Sequence, residues 1–575
     1  MRNFILAVAA GLLPAMTGAC AEGPIGADKA VVAPKDYVGA PMTGRFGAFL
    51  AGQFAQSTDD VGEASKFLGD VLQDQNGFPA LQRQAFLLAL SAGHLDRART
   101  LATAVPQNSP EYALAHSLQA IDSFREGDYE AAREQAEMAS ETGMGRFLTP
   151  ILLTWIEADQ GNRDAASAAI ARLDKFDGLE VLTGLQRALL LDHFDDTGSA
   201  AVLYEDLIED PLSVRTIEYA GHFFERLDQP AQAADAYASL GAGTVGDILR
   251  KRAAERAENG APAPARLTPA EAMADGFIEL SGLLRSQHAG DLSLILARLS
   301  NIAAPSFDNA RFVLAEMMLS QGRAKEAIDA FRDIPPDSPL HWPAQQQVAI
   351  ALERLERPED AENLLRGMIE RRPDQVDVRI QLADLLRRNE AYERAIPVYR
   401  DALGRIDLLR QNHWRIFYSL GIAHEQSDQW PKAEDALLKA LDLKPDQPFV
   451  LNYLGYSWAD QGKNIETALE MIRKAVKQRP KDGFITDSLG WAYYRLERYG
   501  DAVDALERAV TLEPDDPVIN DHLGDAYWQV GRRMEARFQW QRALSNAEDA
   551  EEIETLQKKL ERGLTEEQAA RIDPE

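Results

Sequence analysis

Small and large apolar residues recur along this chain at a fixed long interval, and that interval predicts its elements. Leu-Gly pairs stand at Leu420-Gly421, Leu454-Gly455, Leu489-Gly490 and Leu523-Gly524, 34, 35 and 34 residues apart. Thirteen or fourteen residues after each leucine comes an alanine, at Ala433, Ala468, Ala502 and Ala536, and seven further on another, at Ala440, Ala475, Ala509 and Ala543. Three of these units close on a proline, Pro445, Pro480 and Pro514. Small residues at the Leu-Gly and Ala positions let two helices approach closely, and Tyr493 with Leu506 or Tyr527 with Trp540 fills the space beside them. Proline cannot continue a helix, so it sets the turn into the next unit.

The same step runs backwards through Ala395, Ala361 and Ala327. In the N-terminal half the small position is expected at Ala64, Ala98, Ala132, Ala166, Ala200 and Ala234, and a weaker unit surrounds Ser293. Two irregularities interrupt the array. Glu258-Asn259-Gly260-Ala261-Pro262-Ala263-Pro264-Ala265 breaks helices and has the composition of a hinge. The 38-residue step from Ala395 to Ala433 points to a lengthened helix or loop over Arg405 to Asn412. Glu551 to Leu564 is an amphipathic stretch suited to capping the last unit.

A unit of 34 residues with these Leu-Gly, Ala and Pro positions resembles the tetratricopeptide repeat family. The resemblance implies an all-α fold, a right-handed superhelical solenoid in two segments. The expected layout is a signal peptide over 1–19, a lipidated tether over 20–44, an N-terminal solenoid over 45–256 and a hinge over 257–269. A C-terminal solenoid over 270–548 and a capping helix with tail over 549–575 complete it. In such solenoids the first helix of each unit lines a concave groove. That register places Tyr418, Asn452, Tyr456, Asp487, Trp491, Tyr494, Asp521, Asp525 and Trp528 in the groove. Trp458 and Tyr493 fall at core positions and need no functional reading. Tyr and Trp anchor protein interfaces, and packing within a repeat does not call for them at groove positions. The alternative is that neighbouring units or the capping helix cover them. Some relatives clamp a peptide carboxylate with Lys and Asn at two groove positions. Here those pairs are Tyr418 with Ile422, Asn452 with Tyr456, Asp487 with Trp491 and Asp521 with Asp525, so the cationic clamp is absent. An acidic aromatic groove favours basic or apolar segments.

The N-terminus changes the expected address. Arg2, an apolar run from Phe4 to Leu13, Pro14 and the small stretch Thr17-Gly18-Ala19-Cys20 have the order of a secretory signal. Cys20 is the one cysteine of the 575 residues. Cleavage before it would leave it as a lipidated first residue, although Thr17 replaces the usual aliphatic residue; cleavage after Ala21 would release a soluble periplasmic protein. Gly, Pro and Ala between Ala21 and about Thr43 read as a tether. A lipid-anchored protein on the periplasmic face of the outer membrane is therefore expected, touching the membrane only through that anchor.

Composition narrows the chemistry. The formal net charge of -30 argues against nucleic acid or anionic lipid as a ligand of the body. A lone cysteine excludes an intrachain disulfide framework and a cysteine-cluster metal site. Gly241-Ala242-Gly243-Thr244-Val245-Gly246 spells a dinucleotide fingerprint but lacks the preceding strand that motif requires. His424 and His522 fall at repeat-helix positions and read as packing or surface residues. No catalytic site, metal or cofactor is expected. Leu451-Asn452-Tyr453-Leu454-Gly455-Tyr456 and Asp487-Ser488-Leu489-Gly490-Trp491 resemble the repeats of large Gram-negative envelope lipoproteins. Among these are adaptors that bind a periplasmic carboxyl-terminal processing protease and present cell-wall hydrolases to it. The resemblance implies a non-catalytic scaffold for periplasmic or envelope proteins. An assembly factor for outer-membrane or polysaccharide-export machinery would look the same, and a rival of another class is an enzyme or small-ligand protein with a site in 240–290.

Overall fold

The computed structural model describes residues 45–564 apart from 59, 73–78, 141–142, 210–213, 240–244 and 288. The signal, Cys20, the tether, the glycine fingerprint as a whole and the tail after 564 lie outside the described residues. Within them the protein is all-α: thirty α-helices and two short 3₁₀ turns run from Arg45–Ser57 to Ala550–Arg562 with no strand.

Helix pairs form where the small residues require them. Ala64, Ala98, Ala132, Ala166, Ala200, Ser293, Ala327, Ala361, Ala395, Ala433, Ala468, Ala502 and Ala536 are each fully buried. Each is the fourth residue of its helix, as in Leu95–Ala102 for Ala98 and Tyr499–Leu512 for Ala502. The facing glycines explain the closeness: a Cβ at Gly455 would lie 2.8 Å from Ile472 Cγ1, at Gly490 2.4 Å from Leu506 Cγ, and at Gly524 2.4 Å from Trp540 Cδ1. One expectation is corrected. Ala234 is exposed, and Ala233, 2% exposed, takes the small position. The helix Pro230–Ala238 starts one residue early for a strict 34-residue step, so its fourth residue is Ala233.

The turns between paired helices share a device. The residue two before the second helix is left-handed, with φ of 81° at Gly93, 80° at Gly127 and 79° at Gly161, but also 58° at Asp195, 58° at Glu390 and 58° at Glu497. Around Lys463 the turn carries an extra residue, with Gly462 at 68° and Asn464 at 47°, which accounts for the single 35-residue step. The longer step before Ala433 is a loop: the helix Tyr392–Gly404 ends, and a 3₁₀ turn Gln411–His413 leads into Trp414–Glu425.

The chain divides into two compact units, residues 1–355 and 356–575. The first closes on itself. Helices Pro79–Ala92 and Tyr112–Glu126 pack against Gly290–Ala303, and Gly145–Asp159 and Glu180–His193 pack against Pro269–Ser286. Polar groups seal that closure: Arg298 Nη2 and Arg323 Nη1 donate to Ser91 O at 3.0 and 2.9 Å, and Gln186 Nε2 donates to Ala272 O at 3.3 Å. The stretch 257–269, read as a hinge, lies inside this unit and is tied down there. Arg226 donates to Pro264 O at 3.1 Å, and Arg266 donates to Asp192 O at 2.7 Å and to Asp195 Oδ1 at 2.8 Å. Thr268 and Glu271 form a capping box that starts the next helix. Proline-rich composition stops a helix, and the arginines on either side then fix the extended chain. The second unit stacks neighbour on neighbour to the helix Ala550–Arg562.

Candidate functional site

In the second unit, Trp414–Glu425, Pro448–Asp460, Gly483–Arg495 and Pro517–Gln529 are the first helices of four successive pairs. Pro448–Asp460 packs on Gly483–Arg495, and that helix on Pro517–Gln529, so their side chains form one wall. All nine residues expected in the groove lie on it, but they differ in access.

At the N-terminal end the wall is half-buried. Tyr418 meets Tyr453 edge to face at 5.7 Å. Asn452 Oδ1 is buried without a hydrogen-bond partner among the described residues. Tyr456 is half-buried, and burial, followed by the charges of Asp460 and Asp487, pushes its hydroxyl well above the usual tyrosine range. In the middle Trp491 Nε1 donates to Asp460 Oδ1 at 3.1 Å, and the indole stacks on Tyr494 at 5.0 Å and on His522 at 4.3 Å. Asp487 and Tyr494 are themselves buried, 6% and 5% exposed. His522 Nδ1 donates to the Asp487 carboxylate at 2.9 and 3.1 Å. Burial works against a charged His522, but Asp487 overrides it and the imidazole is shifted upward.

The C-terminal end is occupied by the chain itself. Lys559, on the last helix, donates to Asp521 Oδ1 and Oδ2 at 2.7 Å and to Asp525 Oδ2 at 2.8 Å. Asp525 Oδ1 also accepts from Trp540 Nε1 at 2.9 Å. Burial and then the Asp521 charge raise Asp525 to about 6, opposed by Lys559. Trp528 carries the Arg533 guanidinium 3.8 Å from its ring centroid, and a Cβ at Gly563 would stand 1.8 Å from its Cζ2. The groove position of Asp521, Asp525 and Trp528 is therefore covered by the capping helix, while the strip from Tyr418 through Asn452 and Tyr456 to Trp491 is not.

Sequence reasoning missed Lys559, His522 as an ion-pair partner, and Asp460 as the anchor of Trp491. The signal for Lys559 was available: it stands one 34-residue step after Asp525. Among the described residues no cluster of three or more His, Cys, Asp or Glu side chains could hold a metal ion, and no helix is long and apolar enough to cross a membrane.

Family models recognise the repeat in three stretches of the chain. Residues 349–407 and 418–483 match the family model described as tetratricopeptide repeat, and residues 490–531 match one described as TPR repeat. These stretches are tetratricopeptide repeats, a module of protein–protein interaction scaffolds, and no catalytic family is indicated. The chain is 29% identical over 199 residues to the TPR repeat-containing protein PA4667 of Pseudomonas aeruginosa, covering 34% of this chain and 32% of that one. It is 25% identical over 173 residues to the RNA polymerase-associated protein CTR9 of Caenorhabditis elegans, 27% of this chain and 15% of that one. The matches thus span a third or less of these relatives' lengths. A solved structure titled APC/C hetero-tetramer Cut9-Hcn1 aligns over 91% of this chain and 97% of its own at 15% identity, with a TM-score of 0.38.

Proposed function

We propose that this chain is a non-catalytic adaptor of the bacterial periplasm, lipid-anchored through Cys20 to the outer membrane. It holds a basic or apolar segment of a partner protein along Tyr418, Asn452, Tyr456 and Trp491. The observation that carries this reading is Lys559, buried between Asp521 and Asp525 and followed closely by Gly563 against Trp528. On its own last helix the chain provides a worked example of what its acidic aromatic wall accepts: a lysine head taken by two carboxylates with aromatic surface alongside. Two repeat steps towards the N-terminus, Tyr456 and the exposed Asp460, which also accepts from Trp491 and faces Arg495 at 3.8 Å, set one carboxylate beside aromatic surface without a covering helix. The signal-like N-terminus supports the address, and the resemblance to envelope repeat lipoproteins supports the role of presenting cell-wall enzymes to a periplasmic protease.

Affinity capture from detergent-solubilised envelopes tests it, comparing the intact protein with an Asn452→Ala, Tyr456→Ala variant. Both positions are half-buried, so the variant is expected to keep its helicity. A protease or cell-wall hydrolase retained by the intact protein and lost by the variant supports the reading. Equal capture by both refutes the strip as the binding face.

A further inference from the structure

The loop between Tyr392–Gly404 and Trp414–Glu425, which lengthens one repeat step, ends at a cavity of about 490 Å³ in the second unit. The 3₁₀ turn Gln411–His413 and the start of the helix Trp414–Glu425 wall it, and Ile380 and Lys444 complete the lining. That volume falls within the ~300–1,000 Å³ range of small-ligand sites.

No Asp or Glu lines this cavity, in a chain with 91 of them and a formal net charge of -30. Its charged lining is cationic instead. Arg415 and Lys444 each place the charged end 5.7 Å from the Trp414 ring centroid, and neither has an ion-pair partner among the described residues. Arg415 is exposed and Lys444 half-buried, so both heads are open to a ligand. A third cation stands in the same loop. Arg410 donates its backbone N–H to His413 Nδ1 at 2.9 Å, while its Nη1 is buried with no hydrogen-bond partner among the described residues. Because His413 Nδ1 accepts, its hydrogen is carried on Nε2 and adds a neutral donor to the lining. One exposed cation is simply hydrated. Three beside one cavity, with no carboxylate among its walls, make a local field opposite in sign to that of the chain as a whole.

The place of the cavity on the wall gives it a use. Arg415 and Tyr418 stand three apart on one helix and so share a face, which puts the cationic lining next to the start of the open strip. The far end of the wall is acidic, through Asp487, Asp521 and Asp525. We propose that this cavity binds a carboxylate of the partner segment, Arg415 and Lys444 taking the charge and Ile380 packing the carbon stem. The segment then lies with its acidic end here and its basic or apolar part over Tyr456 and Trp491. That direction rests on the strip reading, whereas the carboxylate site stands on the cavity alone. It is not the Lys and Asn clamp of similar solenoids, whose two positions on this helix hold Tyr418 and Ile422.

Isothermal titration of the full chain tests it with three probes: acetyl-Gly-Leu-Ala with a free terminal carboxylate, the same tripeptide as its amide, and acetyl-Gly-Glu-Ala amide. Saturable binding of a carboxylate probe with none of the neutral amide is expected, weakening as salt is raised. An Arg415→Gln, Lys444→Gln variant should weaken it by about tenfold or more, since charged hydrogen-bond donors are lost. Neither side chain is buried, so helicity should be unchanged. Binding of the free tripeptide alone assigns a chain terminus; binding of the Glu probe assigns a side chain. The Asn452→Ala, Tyr456→Ala variant should bind these short probes as the intact protein does, which separates this site from the strip. Equal binding of the neutral amide, no saturable binding of either carboxylate probe, undiminished binding in the Arg415→Gln, Lys444→Gln variant, or loss of the probes in the strip variant would overturn the proposal.

Discussion

The two units use one repeat to different ends. In the second, each helix pair meets its sequence neighbours, and the last wall is finished by a helix that brings its own lysine. In the first, helices some two hundred residues apart meet. Gly290–Ala303 is buried at eleven of its fourteen positions, and its Arg298 reaches Ser91 across 207 residues of sequence. A helix apolar nearly all round belongs inside a core, whereas the first helices of the second unit keep one half-buried face. The difference teaches that a repeat register fixes the pair but not its neighbours. Whether an array stays linear or closes depends on residues outside the motif.

Lys559→Ala gives the largest expected effect on this contrast. It leaves Asp521 and Asp525 facing each other in a buried site, and breaking a buried pair costs ~3–5 kcal/mol. The loss should fall on 517–562 and leave the first unit unchanged, read by hydrogen exchange of the two units in the intact chain. Next, Arg298→Ala removes a buried donor to Ser91 O and should cost about 1.5–3 kcal/mol, felt together in 79–92 and 290–303 despite their separation.

Proton linkage distinguishes the two buried histidines by sign. His222 in the first unit has a folded value near 4 against an ordinary 6.5, so the unfolded state binds the proton more tightly. Acidification from pH 7 to 5 should therefore lose about 2 kcal/mol through His222 alone, partly offset by Asp275, whose buried carboxyl is raised to about 6 and is relieved by protonation, and His222→Gln should remove the destabilising part. His522 in the second is raised above 6.5, so its pairing with Asp487 is complete below 6.5 and is lost as pH rises through the folded value. The same acidification should hold or strengthen the second unit, measured by unfolding at stepped pH. The smallest effect concerns the turns. Glu497 at φ 58° sits where glycine is at no disadvantage, and Glu497→Gly should raise stability by up to ~1 kcal/mol in denaturant titration.

The pair register was legible because close helix approach admits only small residues, and Gly421, Gly455, Gly490 and Gly524 advertise it. The Pro/Ala stretch misled because composition reports where a helix must stop, not whether Arg226 and Arg266 will hold the extended chain. Ala234 misled because alanines at 233 and 234 are indistinguishable until the helix start at Pro230 is fixed. The wall residues share the first helices of their pairs, yet their access depends on Lys559 and His522, whose partners lie 34 to 38 residues away and carry no local pattern.

The contrast between a closed unit and a linear stack is tested most directly by native-state hydrogen exchange of the full chain in low denaturant. Helices 79–92 and 290–303 are expected to open with one shared free energy, while protection between 448 and 546 should change stepwise from pair to pair. Separate opening of 79–92 and 290–303, or a single all-or-none opening of 448–546, would contradict it.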